Sequence, residues 1–259
     1  MPKLIEFDNV HVQRENTMAL RGISFSIDAG EHAAILGPNG SGKSTLIKVI
    51  TRECYPRLPG RVRIWGQERW GLFDLRALLG IVTNDLVETC TKPYSAIETA
   101  LSGFFGSIGI WPNHHVTPEM ERKAREALHF FDVEHLADHP LTELSSGEVR
   151  RIVFARALVH DPKALLLDEP SNSLDIRAQH EVREAMRKLA QSGVSIILVT
   201  HHLPDIIPEI ERVIALKNGA IFCDGPKNEV LNDHKMTELF DYKALIGHNE
   251  SGIYCFRYG

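Results

Sequence analysis

The sequence lacks the features that would place it in several specialised classes of protein. No uninterrupted apolar run approaches the ~18 residues that suggest a membrane-spanning helix, and the opening MPKLIEFD has no apolar signal core and carries acids early. Only four of the 259 residues are cysteines, and none forms a CxxC pair or a zinc-ligand spacing. We therefore expect a cytoplasmic protein with reduced thiols.

A basic excess is also missing. The chain has 29 Lys and Arg against 34 Asp and Glu, a formal net charge of −5. A dedicated nucleic-acid-binding protein usually carries a positive excess, so no nucleic acid is expected as a partner. The apolar content of 43% and charged content of 24% are typical of a globular protein. The length fits one large domain, or a core with a subdomain.

Short apolar segments alternate with helical patterns in the N-terminal and C-terminal parts of the sequence. Residues 23–27 (ISFSI) alternate strictly, which predicts a half-buried strand, and residues 213–216 and 220–222 flank Asn218-Gly219, a strong hairpin signal. Buried strands are predicted at 33–36, 164–167 and 194–199, and helices at 44–50, 148–160 and 177–191. Strand–helix–strand repetition with apolar strands predicts an α/β fold with a mostly parallel sheet.

Between about residues 85 and 145 strand patterns become scarce. Residues 119–131 (EMERKAREALHFF) predict an amphipathic helix that begins at Thr117-Pro118. A loop is expected before it, at Gly103, Gly106, Gly109 and Pro112. We interpret this stretch as a helical subdomain inserted in the core.

A glycine-rich segment follows the predicted strand at 33–36 and opens a predicted helix. It consists of Gly37, Pro38, Asn39, Gly40, Ser41, Gly42, Lys43 and Ser44, and Thr45, which follows, is also a candidate nucleotide-binding residue. In this context G-x-x-x-x-G-K-[ST] indicates a phosphate-binding loop, whose backbone N–H groups and helix N-terminus hold phosphate oxygens. Lys43 would neutralise the β- and γ-phosphates, and Ser44 would offer its hydroxyl to Mg²⁺. The alternative is a plain glycine-rich connector.

Two acids end the strand at 164–167, at the edge of a parallel sheet that faces the ligand crevice. Asp168 can support Mg²⁺, and Glu169 can orient or deprotonate a water molecule that attacks the γ-phosphate. Without the phosphate loop, such a pair would more simply be a helix cap or a solvated edge. Ser145 and Glu148 have the spacing of a capping box, and the helix N-terminus behind them is also a candidate anion site. These two interpretations are compatible.

The order of these motifs resembles the ATP-binding subunit of an ABC transporter. The phosphate loop, a serine–glycine turn near 145, the acid pair, Ser173-Leu174-Asp175 and Thr200-His201 follow one another, and the resemblance covers nearly the whole chain. It implies one ABC ATPase domain over 1–259. Its fold would be a P-loop NTPase core (RecA-like), with an N-terminal antiparallel β subdomain and the helical subdomain inserted at about 85–145.

The resemblance also implies ligands and residue roles. ATP and Mg²⁺ are the implied cofactors. Ser145 and Gly147 of the signature motif would contact the γ-phosphate of ATP held by the other protomer of a head-to-tail dimer. Asp175 would lie at the dimer interface, and His201 would contact the γ-phosphate.

Three segments depart from the family pattern. The signature LSGGQ is here LSSGE, residues 144–148. No aromatic residue stands where the family stacks one on adenine; Arg14 offers its guanidinium plane there, or is only a solvated charge. Asn84 stands where a glutamine is expected to reach Mg²⁺ or the attacking water, one methylene shorter, or it caps a turn. Arg150 and Arg151 are most simply solvated.

The function implied is an ATP-hydrolysing subunit that powers a membrane transporter through ATP-dependent dimerisation, as a homodimer or with a similar ATPase subunit. It would sit at the inner face of the membrane through permease subunits that dock on the helical subdomain. One alternative is a soluble ABC ATPase acting on nucleic acid or ribosomes, which usually carries long coiled-coil insertions or tandem cassettes. Another is a P-loop kinase, which would leave Asp175 and His201 unexplained.

Overall fold

A computed structural model describes residues 2–90, 93–249 and 252–257. Its strands are β1 (Lys3–Arg14), β2 (Thr17–Asp28), β3 (Ala33–Leu36), β4 (Arg61–Ile64), β5 (Leu79–Val82), β6 (Ala164–Asp168), β7 (Ser195–Thr200), β8 (Arg212–Lys217), β9 (Ala220–Pro226), β10 (Leu245–His248) and β11 (Tyr254–Arg257). Its α-helices are α1 (Lys43–Ile50), α2 (Leu72–Leu78), α3 (Asn84–Cys90), α4 (Ala96–Phe105), α5 (Pro118–Phe130), α6 (Ser146–Leu158), α7 (Ile176–Gln191), α8 (Lys227–Val230) and α9 (Asp233–Phe240). Short 3₁₀ turns lie at Glu134–Leu136, Leu141–Glu143 and Leu203–Asp205.

The chain divides into two compact units. One consists of Met1–Leu72 and Ser195–Gly259, and the other of Phe73–Val194. The predicted helical subdomain at about 85–145 falls within the second unit and stays a prediction; its residues 91 and 92 lie outside the described residues. Over the described part of the chain, no helix has the length and apolar character that a membrane crossing requires.

The first unit contains an antiparallel sheet in the order β2–β1–β4. Ile23, Phe25 and Ile27 of β2 are buried, as their alternation predicts. Phe25 lies opposite Phe7 of β1, and the two rings stack with centroids 4.8 Å apart. The predicted N-terminal antiparallel β subdomain is confirmed.

A second sheet of the first unit contains the neighbouring strands β7, β3, β8 and β9. Strand β3 pairs in parallel with β7 on one side and β8 on the other, and all four of its residues are buried, which explains its unbroken apolar sequence. Strand β9 returns antiparallel to β8 through Asn218 and Gly219, which have φ values of 52° and 78°. The predicted hairpin and the α/β class with a mixed, mostly parallel sheet are confirmed.

The second unit contains a parallel pair of strands, β5 and β6, and the helices from α3 to α7. Helix α5 begins as predicted, since Met120 N donates to the Oγ1 of Thr117 at 3.2 Å. Strand β6 and helix α7 also lie where the apolar pattern places them. These two elements position the acid pair and the segment that follows it.

The prediction of a loop at Gly103 is wrong. Gly103 is not in a loop but inside α4. A Cβ at position 103 would overlap the carbonyl oxygen of Arg156 on α6, so glycine is needed there because two helices pack closely. The Arg156 guanidinium reinforces this contact by donating to Ser102 Oγ at 3.0 Å and to the carbonyl of Ser107 at 2.9 Å.

Candidate functional site

The predicted phosphate loop connects β3 to α1 in the first unit. Gly42 precedes the helix with φ 108°, a conformation that glycine adopts without strain. A Cβ at this position would lie 2.8 Å from the carbonyl oxygen of Ala19, so the β2 segment packs directly on the loop. The backbone N–H groups in the first turn of α1 have no acceptor within the helix, and they directly follow the loop.

Lys43 and Ser41 give this loop the character of an anion site. Lys43 is 6% exposed, and its Nζ donates to the carbonyl oxygens of Gly37 at 2.7 Å and Pro38 at 3.2 Å. Ser41 Oγ is buried with no hydrogen-bond partner in the described structure, and buried polar atoms normally have one. A cation, a helix N-terminus and an unsatisfied hydroxyl in one loop fit the phosphate groups of a nucleotide.

The acid pair lies at the carboxyl end of β6 in the second unit. Asp168 is the last strand residue, and Glu169 follows with φ 48°. A positive φ is uncommon for a residue other than glycine, and such strain concentrates at functional sites. Both carboxylates are half-buried. They are oxygen donors of the kind that Mg²⁺ prefers.

The predicted capping box at the start of α6 is confirmed. Glu148 N donates to Ser145 Oγ at 3.4 Å, and Ser145 N donates to the Glu148 carboxylate at 2.8 Å. Hydrogen bonds from the Ser145 hydroxyl and then from its backbone N–H lower the pKa of the Glu148 carboxyl below its ordinary value. The anion-binding interpretation of this helix N-terminus stays a prediction.

The signature segment meets the Asp175 segment within the second unit. Asp175 Oδ1 accepts a hydrogen bond from Ala178 N at 2.8 Å and so caps α7. A Cβ at Gly147 would lie 2.9 Å from the Cβ of Ala178, so the first turn of α6 packs against the first turn of α7. Glycine at 147 allows this approach, and the two motifs are brought together.

The remaining predicted site residues of the first unit are Arg14 and His201. Arg14 ends β1 with an exposed side chain, opposite Thr17 on β2. His201 directly follows β7 and is half-buried. Its ring lies against that of His202, with centroids 3.9 Å apart, and His202 N donates to Thr200 Oγ1 at 2.9 Å.

Arg150 is not a solvated residue, contrary to the sequence prediction. It is 5% exposed, and its Nη1 donates to Asn84 Oδ1 at 2.9 Å. Its Nη2 donates to the carbonyl oxygen of Asn172, which lies between Glu169 and Asp175, at 3.2 Å. Arg151 is partly buried and donates to the Phe131 carbonyl. Helix α6 is buried on most sides, so no polar stripe in its sequence marks a solvent face.

Comparison with known proteins identifies the relatives of this chain. The sequence profile described as "ABC transporter" matches residues 20–172. A hemin import ATP-binding protein of Bradyrhizobium diazoefficiens is 30% identical, over 98% of this chain and 94% of that protein.

Two solved ATP-binding cassettes are similar to this chain over nearly their whole length. An ATP-binding cassette of an ABC transporter in its ADP conformation, 27% identical, superposes with a TM-score of 0.79 over 92% of this chain and 98% of that one. A dimeric ATP-binding cassette in a post-hydrolysis state, bound to ADP and Pi, is also 27% identical, with a TM-score of 0.70 over 86% of this chain and 98% of that one.

Proposed function

The chain belongs to the family of ABC transporter ATP-binding subunits, and we propose specific residues for the steps by which it binds and hydrolyses ATP to power transport. The observation that carries the proposal is the loop between β3 and α1. There the Lys43 ammonium donates to two loop carbonyls, and the unsatisfied Ser41 hydroxyl belongs to the same loop, at a helix N-terminus. Residues from Gly37 to Thr45 hold the phosphates of ATP, and Lys43 neutralises the terminal ones.

The proposed metal donors are oxygen atoms, which suit Mg²⁺. Ser44 contributes a hydroxyl from the first turn of α1, and Asp168 contributes a carboxylate from the end of β6. The family resemblance makes Asn84 a third candidate, through its amide. When bound, Mg²⁺ supplies positive charge that neutralises the phosphate oxygens. The chain's own residues then orient the nucleotide and the attacking water.

Glu169 and His201 are the proposed catalytic residues. The Glu169 carboxylate orients the attacking water and accepts its proton. His201 Nε2 or Nδ1 donates to the γ-phosphate, and the neighbouring His202 ring helps to fix its orientation. Arg14 presents an exposed guanidinium plane that can stack on the adenine base.

We propose that two copies pair head to tail. In that arrangement the N-terminus of α6, with Ser145 and Gly147, faces the γ-phosphate held by the phosphate loop of the partner copy. Asp175 lies at the same interface, because the first turn of α7 packs on the first turn of α6. The dimeric relative bound to ADP and Pi supports this pairing.

The proposed partners are permease subunits, which hold this ATPase at the inner face of the membrane and dock on the helical segment at about 85–145. The hemin import relative makes import the direction to test first. Its name favours transport over action on nucleic acid or ribosomes.

Two measurements test the proposed function. Affinity purification of the tagged chain from its own cells should recover membrane subunits in stoichiometric amount, and Mg²⁺-dependent release of phosphate from ATP should require Lys43. Recovery of ribosomes or nucleic acid in place of membrane proteins would contradict the transport role. Equal hydrolysis by the wild type and Lys43→Ala would contradict the site.

A further inference from the structure

One guanidinium group joins three segments of the second unit. Arg150 lies one turn beyond Gly147 on α6, and its two terminal nitrogens point to different partners. One donates to the side-chain oxygen of Asn84, the first residue of α3, and the other to the carbonyl of Asn172. Asn172 lies in the short segment that joins Glu169 to Asp175, and its N–H donates back to the Glu169 carbonyl at 3.0 Å.

Arg150 is buried, so the loss of these hydrogen bonds would be costly. A buried cation must make hydrogen bonds to compensate for lost solvation. A planar guanidinium donates in fixed directions, whereas a lysine ammonium is a single point charge on a flexible stem. The positions of the Asn84 amide and the Asn172 carbonyl are therefore tied to α6.

The contact also determines which end of the Asn84 amide is engaged. Its Oδ1 accepts from a cation, so a second cation at the same oxygen would be opposed by like-charge repulsion. The Nδ2 of Asn84 is the end that remains to face a phosphate oxygen or a water molecule, as a donor. The long arginine side chain reaches from α6 to the short asparagine side chain at the start of α3.

We propose that Arg150 is a positioning residue for ATP hydrolysis: it orients the Asn84 amide and holds the Glu169–Asp175 segment against the signature helix. The inference rests on the proposed function, since the reaction it serves is ATP hydrolysis at that site. It assigns Asn84 a donor role, in place of metal ligation through its oxygen.

Hydrogen–deuterium exchange on the purified full chain tests the bridge without relying on catalysis. Arg150→Lys keeps the charge but cannot make both bonds in the same geometry, so exchange at residues 84–90 and 170–175 should accelerate together. Arg151→Lys is the matched control, because it changes the neighbouring arginine, which contacts Phe131 and Glu181 instead. Unchanged exchange in both segments of Arg150→Lys would overturn the proposal.

Steady-state ATP hydrolysis then tests the consequence. Arg150→Lys should lower kcat about tenfold or more, as expected for loss of a charge-assisted hydrogen bond, with KM for ATP changed less than about twofold. Arg151→Lys should retain wild-type turnover. Asn84→Asp, which keeps an acceptor for Arg150, should retain the slow exchange of residues 84–90 but lose turnover, because it lacks the donating Nδ2.

A double-mutant cycle separates positioning from general loss of stability. If Arg150 acts through Asn84, combining Arg150→Lys with Asn84→Ala should lower kcat by less than the product of the two single effects. The proposal would be overturned if the two single effects on kcat simply multiplied in the double variant, or if Arg150→Lys kept the wild-type kcat. Neither outcome would contradict the proposed function, which rests on Lys43-dependent hydrolysis. Absence of Lys43-dependent hydrolysis in the wild type would instead overturn the proposed function, and the exchange measurement would still decide whether the bridge exists.

Discussion

Ser145 and Glu148 hydrogen-bond to each other at the first turn of α6, the backbone N–H of each donating to the side chain of the other. The same arrangement is found in the second unit at the start of α4, where Ser95 and Glu98 form the cap. Only the first of these caps lies in a segment with a proposed phosphate contact. The chain thus contains its own control for separating a structural cap from a functional one.

Ser145→Ala removes one capping box and Ser95→Ala removes the other. Each should lower the free energy of unfolding by about 1 kcal/mol, because each leaves a helix N–H without its side-chain acceptor. Only Ser145→Ala should also lower ATP hydrolysis. Urea unfolding and phosphate release, measured on both variants, provide the comparison. An equal loss of turnover in Ser95→Ala would mean that Ser145 is only a cap.

Glu148→Gln tests the effect of charge at the signature. Glutamine can make the same capping bond to Ser145, but it removes a carboxylate that those bonds keep ionised. Because this charge lies at the helix N-terminus proposed to face a phosphate, the variant should dimerise more readily with ATP. Sedimentation velocity at low and moderate salt measures this. Glu98→Gln, with the equivalent cap on α4, should leave dimerisation at the wild-type level.

Lys43→Ala should abolish tight nucleotide binding. Losing a charge-assisted contact to phosphate costs about 1.5–3 kcal/mol, or roughly one to two orders of magnitude in affinity. Lys48→Ala, five residues later on the same helix, is the control and should bind ATP like the wild type. Calorimetric titration of ATP into both variants measures the affinities. Unchanged affinity in Lys43→Ala would remove the phosphate loop from the site.

His32 should make stability depend on pH. Burial lowers the pKa of its ring, while Glu209 and Glu211 partly oppose this effect. Its Nδ1 accepts the Ile196 N–H at 3.1 Å, which requires an unprotonated Nδ1. As the pH falls below about 6.5, the ordinary pKa of histidine, the unfolded chain binds more protons than the folded chain. The stabilisation from the unprotonated ring is therefore complete above this pH and is lost as the pH falls to the lower pKa of the folded chain.

Replacing this ring by a group that does not titrate should reduce the loss. His32→Asn keeps an oxygen acceptor for Ile196 N, so its urea midpoint should decline less than that of the wild type between pH 7 and pH 5. His180→Asn, at an exposed position on α7, should keep the wild-type decline. If His32→Asn and the wild type decline equally, His32 does not contribute to the pH dependence of stability.

Sequence patterns predicted the features that depend on neighbours along the chain. The alternation at 23–27, the Asn218-Gly219 turn and the Ser145–Glu148 spacing each specify a local geometry, and the structure contains all three. The phosphate loop was recognisable for the same reason, because its strand, turn and helix are contiguous.

The features that the sequence did not reveal depend on residues distant in the chain. Gly103 resembles a loop residue until the carbonyl of Arg156 is seen beside it. Arg150 resembles a solvated charge because α6 is apolar on most sides, so periodicity identifies no solvent face. Its partners, Asn84 and Asn172, are 66 and 22 residues away. A one-dimensional pattern carries no information about such contacts.

The central claim is that two copies of this chain close around ATP, and that Glu169 activates the water molecule that hydrolyses the ATP and so allows the pair to separate. Glu169→Gln removes the carboxylate but leaves the phosphate loop intact, so it should trap the closed pair. Size-exclusion chromatography with light scattering should show a dimer with ATP and Mg²⁺ and a monomer without nucleotide. The double variant with Lys43→Ala should stay monomeric in both conditions. A Glu169→Gln chain that remains monomeric with ATP demonstrably bound would contradict the account.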